Sequence, residues 1–110
     1  MQAILEESPK IVVIRPQNCL NAANALELER DLTAALTQND ISILVVDLAA
    51  VESLDSAGLI ALVSALKLAQ SLGRRFSLCG VSPAIKIIFE LTQLDEVFEI
   101  LEGTAEVSAV

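Results

Sequence analysis

The hexapeptide LDSAGL, Leu54 to Leu59, sets a hydroxyl directly after a carboxylate, at the point where an apolar strand pattern gives way to a helical one. Two chemistries suit Ser56 there. Its oxygen can accept from the bare amide donors of a first helical turn, as an N-cap. It can also carry a phosphoryl group, which adds about −1.5 to −2 charges at a helix end whose dipole favours an anion. Other constellations are poor. The chain has no histidine, which removes Ser-His-Asp and Cys-His nucleophile systems and most zinc sites. Gly58, Gly73, Gly80 and Gly103 are too dispersed for a phosphate-cradling loop. The pairs Glu6/Glu7 and Asp95/Glu96 fall in polar turns or helix ends, where a solvated face is the simpler account. Cys19 and Cys79 sit in apolar contexts with no further ligand at metal spacing, and read as packed, reduced thiols. Neither an enzyme nor a cofactor or metal site is expected.

The elements that must position Ser56 follow from periodicity. AILEE and KIVVIRP read as two strands joined by a turn at Ser8-Pro9, and Asn21 to about Gln38 as a helix. ISILVVDL is a continuous β-branched run, as in a parallel strand buried on both faces. Ser56 to Leu72 reads as a helix closed by a left-handed Gly73, with Lys67 and Arg74 placed to favour its negative end. RRFSLCG is a strand. SPAIKIIFELTQL opens a helix with Ser82 as cap and Pro83 at the first position. VFEIL is a short last strand, and Gly103 to Val110 a final turn. The order β-β-α-β-α-β-α-β implies an α/β fold: a mixed, mostly parallel sheet with an antiparallel N-terminal strand, packed by helices. In such sheets functional loops gather beyond the carboxyl ends of the strands, where Asp55 and Ser56 lie.

Composition bounds the partners. One domain over residues 1–110 is expected, large enough to bury a single core. The net charge is −8, and no Lys or Arg follows Lys86, which argues against nucleic acid and leans toward a monomer. The N-terminus does not resemble a signal peptide and no apolar run approaches membrane-spanning length, so a cytoplasmic location without membrane insertion is expected.

The strand ILVVDLAAV, the turn LDSAGL, the amphipathic helix after it and the segment LCGVSPAIKIIFELTQLDEVFEI together resemble the STAS domain family, in particular its stand-alone anti-anti-sigma factors, or anti-sigma factor antagonists. The resemblance covers nearly the whole chain. It implies that Ser56 is phosphorylated by an anti-sigma factor that is also a serine-protein kinase, that the unphosphorylated form binds this kinase, and that a metal-dependent phosphatase of the PP2C type resets the switch. It further implies that Asp55 and Gly58 shape the phosphosite turn. The family also includes accessory subunits of membrane lipid or anion transport assemblies, which implies an alternative role as a constitutive docking module. One departure stands out: Asn18-Cys19-Leu20-Asn21 occupies the place where the family often shows G-x-L-D. Asn18 can still take a positive φ and Asn21 can still cap a helix.

Helical projection of residues 56–72 places Leu59, Leu62, Ala65, Leu66, Ala69 and Leu72 on a core-facing arc. Ile60 and Val63 fall instead among Ser64, Lys67 and Gln70, on the face that Ser56 heads. Isolated exposed apolar residues are common. A docking surface is the sharper account, and it assigns partner binding to Ile60, Val63, Ser64 and Lys67, with Ser56 at its rim; the resemblance adds Asn21, on the loop that it implies approaches the serine turn.

Overall fold

The computed structural model describes residues 10–38 and 41–101. Strands β1 (Lys10–Ile14), β3 (Ile41–Asp47), β5 (Arg75–Cys79) and β6 (Glu99–Ile100) form a four-stranded sheet in the order β1-β3-β5-β6, and every pairing is parallel. Helices α1 (Ala25–Leu36), α2 (Ser56–Leu72) and α3 (Pro83–Leu91) supply the crossovers. The expected antiparallel strand at AILEE, its turn at Ser8-Pro9 and the final turn from Gly103 lie outside the described residues.

Alternation along the strands explains the core. Leu44 and Val46 of β3 and Phe76 and Leu78 of β5 point to one face, where they join Leu28, Leu32 and Leu36 of α1, Leu62 and Leu66 of α2, and Ile85 and Phe89 of α3. Phe98 closes this core at one end, its ring tilted against both Phe76 and Phe89. Along α2, Gly58, Ala61, Ala65 and Ala69 make a ridge of small buried residues, so this helix approaches its neighbours closely.

Two short strands escape the periodicity argument. Asn18–Leu20 (β2) and Val51–Leu54 (β4) pair in parallel as a separate two-stranded sheet. Three and four residues are too few to show a period of two, so the sequence pattern does not announce this pair; Ser53 stands exposed within β4.

The helix ends show how local chemistry won. Gly73 adopts φ 70°, its N–H donating to Gln70 O, while the Arg74 N–H reaches Ala69 O, a Schellman closure. The Arg74 side chain does not serve the helix end: its guanidinium donates to the Ile41 carbonyl at 2.6 Å, tying the end of α2 to the start of β3. Ser82 caps α3 by accepting from the Ile85 N–H, with Pro83 at the first position. That helix stops at Leu91, three residues before Leu94, because Gln93 takes a left-handed φ of 63° and a single 3-10 turn, Leu94–Glu96, follows.

Candidate functional site

The site is assembled where β2 and β4 end side by side. The Leu20 carbonyl accepts from the Asp55 N–H at 3.0 Å, so the loop leaving β2 and the start of α2 are held together. Asn18 opens β2 at φ 66°, the left-handed conformation that Asn tolerates better than most residues. Asn21 does not cap α1. Its Oδ1 accepts from the Ala23 N–H, while its own N–H donates to Asn24 Oδ1, and Asn24 Nδ2 donates to the Cys19 carbonyl. The two asparagines bond their own turn, so α1 begins only at Ala25.

Asp55, and not Ser56, is the N-cap of α2. Its backbone is extended, and its Oδ1 accepts from the Ala57 N–H at 3.0 Å and the Gly58 N–H at 3.1 Å. Ser56 is the first helical residue and is exposed, with no hydrogen bond to its hydroxyl among the described residues. Both Asp and Ser are favoured caps, and the sequence does not rank them; the extended conformation after β4 falls on Asp55, which frees the serine.

Besides donating its N–H to Asp55, Gly58 makes room at the start of α2. It is buried within α2, and a Cβ there would lie 2.7 Å from the Leu20 carbonyl oxygen and 2.8 Å from both Leu20 Cβ and Leu54 Cδ1. The missing side chain lets the first turn of α2 seat on the ends of β2 and β4.

The expected docking residues divide. Ile60 is 63% exposed and Lys67 is exposed. Val63 is half-buried and packs against the core, and Ser64 is half-buried as well. The projection placed the buried arc slightly off: it takes in Gly58 and Ala61 and leaves Leu59 half-buried at its edge, while Leu72 falls within the arc but is exposed as the last residue of the helix. The free surface below Ser56 therefore carries Ile60 and Lys67, with Val63 and Ser64 at its margin.

A second set of residues supports the site from below. Asp47, only 8% exposed, ends β3; its Oδ2 pairs with Arg15 Nε at 3.3 Å and its Oδ1 accepts from the Ala49 N–H at 3.0 Å. Gly80, at φ 66°, passes so close that a Cβ would sit 2.5 Å from Asp47 Oδ1. This knot fixes the turn from β3 into β4, and so the height of the Ser56 turn. The only sequence signal for it was a carboxylate ending an apolar run. Cys79, beside Asp47 in the sheet, is buried, and that burial pushes its thiol above the usual range, with the Asp47 carboxylate adding and Arg15 opposing. Cys79 and the half-buried Cys19 are both free thiols. Among the described residues no group of three or more His, Cys, Asp and Glu is arranged to hold a metal, and no helix is long and apolar enough to cross a membrane.

This parallel α/β arrangement agrees with comparison to known proteins. The STAS domain profile matches residues 2–107, and the chain belongs to the STAS domain family. It is similar to a putative anti-sigma factor antagonist from Thermotoga maritima, with 27% identity, 90% of this chain and 85% of that one covered, and a TM-score of 0.79. It is also similar to an anti-sigma factor antagonist from Mycobacterium paratuberculosis, at 27% identity, 97% and 91% coverage, and a TM-score of 0.77. The phosphorylated form of the Bacillus cell fate determinant SpoIIAA shares the fold, at 17% identity, 96% and 93% coverage, and a TM-score of 0.71.

Proposed function

We propose that this protein is an anti-sigma factor antagonist without catalytic activity of its own, which switches partners through phosphorylation of Ser56. One observation carries the proposal: Asp55 performs the capping, so the Ser56 hydroxyl is exposed and has no structural duty, directly above the exposed Ile60. The likeness to the Thermotoga and Mycobacterium antagonists supports the role.

The partner is an anti-sigma factor that is also a serine kinase, and ATP and its metal belong to that partner. Ser56 Oγ attacks the γ-phosphorus, the bond to the ADP oxygen breaks, and the hydroxyl proton passes to a base of the kinase. A phosphate on Ser56 finds the Ala57 and Gly58 amides already engaged by Asp55, with that carboxylate beside it. It therefore gains little from the helix and remains a solvated dianion. A partner pressed on Ile60 would have to desolvate it, and a cost of about 3 kcal/mol is roughly a hundredfold in affinity. A phosphatase of the PP2C type restores the hydroxyl. Asn21, committed to its own turn, offers the partner an amide edge in place of a carboxylate.

The test is to incubate the purified protein with a candidate switch kinase, ATP and magnesium, map phosphate by mass spectrometry, and measure kinase binding for wild type, Ser56→Ala and Ser56→Asp. Phosphate on Ser56, with binding retained by the alanine variant and lost by the aspartate variant, supports the proposal. Phosphate elsewhere, or equal binding by Ser56→Asp, overturns it. Constitutive binding to a transport ATPase without phosphorylation would favour the docking-module alternative.

A further inference from the structure

The outer face of α3 is not used by the switch proposed above. Ile85 and Phe89 point into the core, and at about 100° per residue Ala84, Ile87 and Leu91 fall together on the opposite side. Ile87 is 53% exposed and Leu91 79%, the most exposed large apolar side chain described. Lys86 and Glu90 border this stripe along one flank, both exposed, and neither makes an ion pair among the described residues.

We infer that α3 pairs with α3 of a second copy of this chain, antiparallel about a two-fold axis level with Ile88. The charges select this occupant. Lys86 and Glu90 stand two positions either side of Ile88, so such an axis sets Lys86 against the partner's Glu90 and Glu90 against the partner's Lys86. A parallel two-fold pairing would put the charged flanks on opposite sides of the seam and leave both charges unmatched. The same axis brings Leu91 to within about one residue of the level of the partner's Ala84, a large side chain over a small one, and places the two Ile87 side chains beside each other at the centre. Because β6 runs parallel to β5, the chain must return to the amino ends of the strands after α3, so Leu91 lies toward the edge opposite Ser56. A dimer built on α3 leaves the phosphosite turn open. The net charge of −8 opposes association through long-range repulsion but does not address this local match. With nine residues, α3 is only about 14 Å long, so the interface is small and the dimer weak.

Sedimentation equilibrium on the purified full chain, up to about a millimolar and with salt added to screen the net charge, measures this directly. The weight-average mass is expected to climb toward twice the monomer value. Leu91→Lys, at an exposed position that keeps the fold intact by circular dichroism, should weaken association at least about tenfold. Lys86→Glu and Glu90→Lys should each weaken it, and the two together should restore it. A monomer at every concentration, a dimer indifferent to Leu91→Lys, or a double variant no better than either single one would overturn the inference.

Discussion

Gly58→Ala sets two known effects against each other, and the structure says which one wins. In a free helix, alanine in place of an interior glycine stabilises by about 1 kcal/mol. In α2 the new Cβ would lie 2.7 Å from the Leu20 carbonyl oxygen and 2.8 Å from Leu20 Cβ and Leu54 Cδ1, distances that demand a shift. The Leu20 oxygen cannot withdraw freely, since it holds the Asp55 N–H, and Asp55 in turn caps the helix. Overpacking of a fitted core costs about 1–3 kcal/mol, and a strained or lost backbone bond adds about 1 kcal/mol. After subtracting the propensity gain, a net loss of about 1–3 kcal/mol is expected, lowering the melting midpoint by several degrees. Urea unfolding followed by circular dichroism would show a lower midpoint at unchanged slope. A variant as stable as the parent, or more stable, would mean that α2 does not seat on β2 as described.

Three further outcomes follow from the geometry. Asp55→Ala removes the acceptor of two amide donors and should cost about 0.5–2 kcal/mol, whereas Ser56→Ala, at an exposed position without a bond, should change stability by no more than about 0.5 kcal/mol; the reverse order in thermal unfolding would restore Ser56 as the cap. The Glu99 carboxyl lies below its usual range chiefly because Arg75 hydrogen-bonds to it, with Ser77 Oγ donating at 2.7 Å and burial opposing. Its contribution is thus present above the ordinary carboxylate pKa and lost as pH falls through the lower folded value, so Glu99→Gln should flatten part of the acid limb of stability against pH; an identical limb in the variant would refute this. Cys79, buried and with its thiol pushed upward, should react with a thiol reagent far more slowly than the half-buried Cys19. Equal rates under native conditions would contradict the burial of β5.

What the sequence determined by itself was whatever is written in short-range chemistry or in patterns long enough to repeat. The β-branched run of β3, the apolar period of α2, Gly73 at its left-handed end and Ser82-Pro83 at the start of α3 each act within a few residues, so each was legible. The serine turn was legible as a place. Tertiary structure decided which residue does which task there. Asp55 and Ser56 are both good caps, and only the direction of the chain leaving β4 gives the cap to the aspartate and the open hydroxyl to the serine. Val63 is half-buried against the core although the helical projection sets it among polar residues, and that packing depends on segments distant in sequence. The pairing of β2 with β4, the seat of Gly58 against Leu20 and the clasp of Arg15 on Asp47 all join residues far apart in the chain, and no local preference announces them. The physical reason is common to all of these: propensity and periodicity act through neighbours along the backbone, whereas exposure and fit are settled only when separate elements compete for the same space.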